Sequence, residues 1–458
     1  MIKVFNVYYP IRTVARLICE VALACGSFLL ATAYIEGPDT YIALFYESGL
    51  IKIICLAILT LLLTYYFDLY EPQRISRSWE IYFRLLLVVS LMSFSLAAVL
   101  YLFPGLDIGP NVSFFGVIIL AVALIAWRAA YEWAIGLSAF SEKVYVLGNG
   151  KRARNVIDIL RSRRDTGMEV VAEELGVVSP DDQHDFFSET LRRLGNSRQG
   201  LERVIVAMED RRGSMPVREL LNLRFCGVIV EDANDVIERI LGKLPLDGLN
   251  PSTLIFSDGF YSRASQQVLR RLLSMAVSLT ALLICLPFIP LIMLAVKLSS
   301  PGPIFYRQTR VGLNNHLYSV IKFRTMRQDA ELNGAVWAAE NDPRITGLGK
   351  FMRKTRLDEI PQLWNVLRGE MAFVGPRPER PEFVEWLSRE IPLYELRHMI
   401  RPGITGWAQV RYRYGASLED TKNKLEYDLY YVKHQSIGLD LLIMFETLKT
   451  IILRRGAQ

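Results

Sequence analysis

Paired cysteines are missing from this chain, and that is the first thing it excludes. Five cysteines in 458 residues (Cys19, Cys25, Cys55, Cys226, Cys285) fall mostly inside apolar segments with no paired spacing. That pattern argues against a disulfide framework and against a zinc site. The four histidines, His184, His316, His398 and His434, are too dispersed to suggest metal ligation. A cleavable signal peptide is also not expected, because the first apolar run begins late and is followed by others. The net charge of +6 is modest, and no nucleic-acid partner is expected from it.

Apolar residues, by contrast, make up 51% of the chain, too many for an ordinary soluble protein. Four apolar stretches, near 13–35, 49–67, 82–103 and 112–133, each approach the ~20 residues that span hydrocarbon as a helix. Lys3, Arg12 and Arg16 precede the first, Arg74 and Arg77 lie between the second and third, and Arg128, Lys143, Lys151 and Arg152 follow. Glu36, Asp39, Glu47 and Asp107 occupy the other connections. The positive-inside rule therefore puts the N-terminus and everything after residue 135 in the cytoplasm. Glu20, midway along the first span, is expected to face the bundle or to pair with a neighbour such as Arg16.

A fifth apolar run, Leu272 to Val296, has basic flanks at both ends: Arg263, Arg270 and Arg271 before it, Lys297, Arg307 and Arg310 after it. Pro287 and Pro290 inside it remove helix hydrogen bonds. The reading that satisfies both flanks is a re-entrant helix that turns at the prolines. A straight, kinked span is the alternative.

Between these membrane parts, KVYVLGNGKRARNVIDILR begins a strand, turn and amphipathic helix. Strand candidates follow at 169–178, 203–208 and 227–231, which predicts a doubly wound parallel sheet. Gly148-x-Gly150-x-x-Ala153 fits the dinucleotide fingerprint weakly, and Glu173 or Glu174 could serve as its distal acid. A Rossmann-like module without cofactor, acting as a ligand sensor or as the dimerisation surface of a homodimer, is preferred.

The chemistry lies in RKTRLDEIPQLWNVLRGEMAFVGPRPER, residues 353–380. Pro361 and the apolar pattern after it place a helix start at Asp358 or Glu359, where the dipole favours ionised acids. Arg353, Lys354, Arg356, Arg368, Arg377 and Arg380 surround them. Paired carboxylates in a cationic frame suit chemistry on a phosphate, although a capped helix with solvated charges would read the same. In the strand-like YSVIKFRTM, Lys322 and Arg324 share a face with Tyr318 and Val320. The loop Arg401-Pro-Gly-Ile-Thr-Gly-Trp-Ala-Gln409 offers a cation, an aromatic plate and amide donors. Residues 437–453 form an amphipathic helix suited to an anionic membrane surface.

Together, SPGPIFYRQTRVG (300–312), KFRTM (322–326), LDEIPQLWNVLRGEMAFVGPRP (357–378) and RPGITGWAQV (401–410) resemble the bacterial sugar transferases. These are monotopic polyprenyl-phosphate sugar-1-phosphate transferases. The likeness is specific over about 270–458 and weaker before residue 262. The resemblance implies a membrane protein with a four-helix transmembrane domain (1–135) and an α/β Rossmann-like cytoplasmic domain (136–262). The remainder (263–458) would be a re-entrant helix and a mostly α catalytic domain with a small β element.

The resemblance also implies transfer of a sugar-1-phosphate from a UDP-sugar to polyprenyl phosphate at the cytoplasmic face of a bacterial inner membrane. Asp358 would be the nucleophile and Glu359 the Mg²⁺ partner. Lys322 or Arg324, with Arg353 and Arg377, would hold phosphates, and Arg401 and Gln409 would bind substrate. Where some members carry Ser-Pro at the re-entrant break, this chain has Leu286-Pro287, so Pro290 is expected to share in the bend. A non-catalytic membrane sensor would need neither the dyad nor the basic set. A polytopic transferase would need more spans.

Overall fold

The structure is a computed structural model. It describes residues 1–70, 78–103, 105, 108–135, 141–171, 183–196, 200–211, 214–249, 251–261, 263–328, 342–412, 415 and 417–452. Arg74, Arg77, Asp107, Glu173 and Glu174 lie outside the described residues. Tertiary contacts gather the chain into two compact units, one of Met1–Ile2 with Tyr8–Val236 and one of Lys3–Val7 with Ile237–Gln458.

In the first unit, four apolar stretches form helices α1 (Ile11–Glu36), α2 (Gly49–Tyr66), α3 (Ser78–Leu102) and α4 (Pro110–Ile135). Each is long and apolar enough to cross a membrane. Helix α1 packs on α4 and α2, and α3 closes the ring between α2 and α4. Phe28, Ile53, Val88, Met92 and Leu120 fill the centre. Gly116 is required there, since a Cβ would lie 2.4 Å from the Phe28 ring.

Glu20 does turn into the bundle, but its ion-pair partner is Arg128 of α4 at 2.9 Å rather than Arg16. The Tyr70 hydroxyl donates to its second oxygen. Arg16 and Arg128 both donate to the Leu69 carbonyl, at 2.7 and 3.1 Å. Glu20 thus offsets two buried guanidiniums. Removing one partner of such a pair typically costs about 3–5 kcal/mol, because the other charge stays buried. Glu20→Ala is therefore expected to lower the thermal midpoint of this unit sharply. A combined Glu20→Leu and Arg128→Met change should recover part of that loss. An unshifted midpoint in Glu20→Ala would contradict the pairing.

The same unit carries strands β1 (Glu142–Leu147), β2 (Met168–Val170), β3 (Arg203–Val206) and β4 (Ile229–Asp232) in the order β2-β1-β3-β4, all parallel. Helix α5 (Lys151–Ser162) follows β1 through the predicted glycine turn. Gly148 has φ 147°, and a Cβ there would lie 2.7 Å from the Ala207 carbonyl oxygen, so the turn demands glycine. The first turn of α5 already holds an anion of the chain itself. The Glu209 carboxylate accepts from the Lys151 N–H at 2.8 Å.

The second unit begins its apolar part with α6 (Ala264–Cys285) and α7 (Ile289–Ser299). The first helix ends at Cys285 and the second starts at Ile289. Pro287 lies between the helices, while Pro290 sits in the first turn of α7, a position that tolerates proline. Strands β5 (Phe305–Val311) and β6 (Leu317–Phe323) pair antiparallel across seven residues. Helix α8 (Gly347–Thr355) starts on a Thr346 cap and stops at Arg356, whose φ of 60° is left-handed. Helix α9 (Gln362–Arg368) and strand β7 (Ala372–Val374) follow, and β7 pairs in parallel with β8 (Gly403–Thr405).

Helices α10 (Trp407–Arg411), α11 (Leu418–Lys433) and α12 (Ile437–Ile452) complete the unit. Helix α12 is amphipathic with its charge inward: Asp440, Glu446 and Lys449 are buried while Leu441, Phe445, Leu448 and Ile451 are exposed.

Candidate active site

Asp358 and Glu359 occupy a single 3₁₀ turn, Leu357–Glu359, between α8 and α9. The α-helix thus starts at Gln362, later than the sequence reading placed it. The left-handed Arg356 ends α8, and a tight turn is what fits before Pro361, which takes the N-cap of α9. Ile360 and Leu363 pack into a core with Val296, Phe323 and Met352 that also takes in residues of α6 and α7. Asn365, fully buried, anchors α9 to β6: its amide donates to the Ser319 carbonyl at 2.8 Å and its oxygen accepts from the Ile321 N–H at 3.2 Å. Lys322 is next in that strand, so this link sets its position relative to the dyad.

Both acids are buried, each 7% exposed. Glu359 Oε1 receives three cations: Arg377 at 3.0 Å, and Lys322 and Arg356 at 3.5 Å each. Asp358 Oδ1 is buried without a hydrogen-bond partner. The helix-dipole expectation that both acids are readily ionised fails for Asp358. Burial first, and then the neighbouring Glu359 charge, raise its pKa above the ordinary value. For Glu359, burial works the same way but is outweighed by Arg377, Lys322 and Arg356 together, and its pKa falls well below the carboxylate range. One carboxylate is held charged, and its neighbour is poorly solvated and has no hydrogen-bond partner at Oδ1, which is not the setting of a solvated cap.

Of the other residues singled out by sequence, Lys322 and Arg377 converge on the dyad. Arg353 sits close enough to lower the Asp358 pKa, and it donates to Thr325 Oγ1 at 3.0 Å. Arg324 does not converge. It lies past the end of β6 and donates to the Ser300 carbonyl at 2.6 Å, clamping the end of α7. Arg401 donates to the Gly369 carbonyl at 3.1 Å, next to Arg271, which donates to the Val366 carbonyl at 2.7 Å. Both guanidiniums serve the C-terminal end of α9.

No described contact links Gln409 to the dyad, and its Nε2 is buried and unpartnered. Trp407, the aromatic plate of that loop, is not open to a ligand. It is buried, stacked on Tyr430 and donating to the Gly242 carbonyl at 2.7 Å. Arg356, one of the cations expected around the dyad but given no phosphate-binding role, reaches Glu359 from three residues away.

The pair also suits a divalent cation. Mg²⁺ binds through one or two carboxylates, water and substrate phosphates. Asp358 Oδ1 is an unpartnered oxygen, and the described contacts of Glu359 all fall on Oε1. Among the described residues, no group of three or more His, Cys, Asp or Glu side chains could hold a metal alone, so substrate oxygens would have to complete the shell.

Lys322 carries a testable consequence. Burial, partly opposed by Glu359, pulls its pKa down to about 8. A lysine shifted this way is charged below that pH and neutral above it, so anion binding by the free protein should fade as pH rises through 8. The alkaline limb of kcat/KM is expected there, and Lys322→Arg, which stays charged, should move it upward. An unmoved limb would assign it to another group.

A carboxylate pair framed by fixed cations is an arrangement that suits phosphoryl chemistry on an anionic substrate. The chain belongs to the bacterial sugar transferase family, whose pattern residues 265–454 match. An exopolysaccharide production protein of Rhizobium leguminosarum bv. phaseoli is 42% identical over 193 residues, covering 41% of this chain and 96% of the relative. The UDP-N-acetylgalactosamine-undecaprenyl-phosphate N-acetylgalactosaminephosphotransferase of Aeromonas hydrophila is 39% identical over 247 residues, 53% of this chain and 56% of that protein. The UDP-glucose:undecaprenyl-phosphate glucose-1-phosphate transferase of Escherichia coli (strain K12) is 39% identical over 220 residues, 48% and 44% of the two chains. This chain thus spans about half the length of the latter two.

Proposed function

We propose that this protein transfers a sugar-1-phosphate from a UDP-sugar to undecaprenyl phosphate, starting the assembly of an exopolysaccharide or O-antigen. The observation that carries the reading is the buried dyad, with Asp358 Oδ1 unpartnered beside a Glu359 pinned by three cations. A carboxylate oxygen of Asp358 attacks the β-phosphorus of the donor. The bond from that phosphorus to the bridging oxygen breaks, and UMP leaves with the electron pair. A phosphate oxygen of the lipid then attacks the same phosphorus, the bond to Asp358 breaks, and polyprenyl-diphosphate-sugar forms. Each displacement is helped mainly by positioning and by neutralising the equatorial oxygens, which Lys322, Arg353 and Arg377 do from fixed places. Mg²⁺, when held by Asp358 and Glu359, would supply further charge neutralisation on the phosphates.

The finer architecture belongs to the same proposal. Residues 1–135 form a four-helix membrane domain, 136–262 a Rossmann-like cytoplasmic domain, and 263–458 the catalytic domain on a re-entrant helix at the cytoplasmic face of the inner membrane. The middle domain is read as regulatory or as a homodimer surface. Glu209 supports the absence of a dinucleotide there, because a pyrophosphate at the start of α5 would meet that carboxylate.

The test is a donor panel. The purified chain with Mg²⁺ and one UDP-sugar at a time, without lipid, should release one equivalent of UMP. It should also gain the mass of the matching sugar phosphate. A chain that releases UMP only when lipid phosphate is present, and never gains mass, would sink the covalent route.

A further inference from the structure

Beside the dyad lies a pocket two of whose polar residues, Arg310 and Gln362, have no part in the displacements as written. Arg310, Lys322, Gln362 and Arg377 line it over Val320. Lys322 and Arg377 are shared with Glu359, whereas Arg310 has no described contact with either acid. Its guanidinium donates to the Pro378 carbonyl at 3.0 Å and to Gln308 Oε1 at 2.6 Å, and it lies 3.5 Å from Glu379. The pocket therefore reaches past the dyad toward the β5–β6 hairpin. Gln362 is 4% exposed, and its Nε2 is buried with no hydrogen-bond partner. A buried amide donor left without an acceptor is destabilising, so its presence on the wall points to an acceptor that arrives from outside.

The charge balance points the same way. Three cations line the pocket, and the carboxylates in described contact with them are Glu359 and Glu379. Burial, together with the neighbouring Arg377 and Arg380, holds Arg310 below its usual pKa despite Glu379. Arg377 is compensated by Glu359, whereas Arg310 has only Glu379 beside it, at 3.5 Å, so room remains for an entering anion. Planar guanidiniums and an amide offer donors in the directions that phosphate oxygens need.

We propose that this pocket is a subsite for a phosphomonoester dianion, the phosphate of the departing UMP, held by Arg310, Lys322, Arg377 and the Gln362 amide. The choice of ligand rests on the transferase reading. In that reading the leaving phosphate must lie on the far side of the β-phosphorus from Asp358, which is what a cationic pocket continuing beyond the dyad provides. The acceptor lipid carries the same chemical group, so the pocket can serve each phosphate in turn, once UMP has gone.

The experiment is equilibrium binding to the full chain in nanodiscs, read without turnover. The ligands are UMP, uridine and farnesyl phosphate. Arg310→Gln is expected to weaken UMP at least tenfold while leaving uridine unchanged, and Arg310→Lys should fall between. Loss confined to UMP assigns the pocket to the nucleotide, and loss of farnesyl phosphate as well assigns it to both phosphates in succession. Should Arg310→Gln fail to fold, Gln362→Glu, which adds a negative charge to the wall, is expected to give the same tenfold loss. A folded Arg310→Gln or Gln362→Glu chain that binds UMP and farnesyl phosphate like the parent overturns the subsite. A pocket that binds UMP in a chain that never gains the mass of a sugar phosphate would instead fault the covalent reading and leave the subsite standing.

Discussion

Asp358→Asn is expected to lower transfer by about 10⁴-fold or more, which is about 5.5 kcal/mol of transition-state stabilisation, while leaving the fold intact. The substitution keeps the shape of a side chain that is buried and makes no described hydrogen bond through Oδ1, so little packing is lost. What is lost is the attacking oxygen, because an amide is a poor nucleophile. The mass gain with UDP-sugar should vanish together with turnover. Glu359→Gln separates the two acids. It removes the like charge that helps raise the Asp358 pKa, and the cations that held Glu359 then act on Asp358 alone. Since Asp358 must be ionised to attack, the acid limb of kcat/KM should move to lower pH in that variant. Undiminished turnover in Asp358→Asn would end the assignment of the nucleophile.

Much of this was legible in the chain because it depends on local rules. Four apolar runs became four helices, since length and hydropathy decide that without reference to partners. The parallel sheet was legible from alternating patterns and one glycine turn. The dyad, Lys322 and Arg377 could be named because opposite charges clustered around one turn rarely serve packing alone.

What the chain did not show was direction. Arg324 and Lys322 lie two residues apart, yet Arg324 falls just past the strand end and swings to the α7 terminus, while Lys322 stays on the pocket face. Trp407 reads as an aromatic plate in a loop of turn formers. Its burial depends on Tyr430 and Gly242, distant in sequence. Glu20 was rightly turned inward, but its partner comes from α4, and no local spacing names it. The raised pKa of Asp358 was hidden for the same reason: the dipole argument is local, whereas burial is tertiary.

Cysteines introduced singly at Tyr261 and at Asn314, with the five native cysteines replaced, are expected to resist an impermeant thiol reagent in intact cells. Both should label in inverted vesicles. The argument starts from the attachment of α6. Arg270 pairs with Asp440 at 2.7 Å, and Arg271 donates to the Val366, Leu367 and Met371 carbonyls, so the first turns of α6 are bound to the catalytic fold. The stretch left over, 272–285, is roughly 21 Å long at 1.5 Å per residue, short of a ~30 Å hydrocarbon core. The far end of the pair returns to the same fold, with Val296 in the core beside Met352 and Leu363 and the Ser300 carbonyl held by Arg324. Two ends fastened to one folded body favour one face of the membrane. A break at Pro287 would then turn the chain inside a single leaflet, with backbone groups at the bend met by i−3 contacts such as Phe288 N–H to the Cys285 carbonyl, 2.9 Å. The exposed apolar side chains Leu279, Leu283, Phe288 and Leu291 would face lipid. Labelling of the Asn314 site from outside would mean a full span. It would also separate Asp358 from a donor made in the cytoplasm, so the topology and the proposed reaction would fall together.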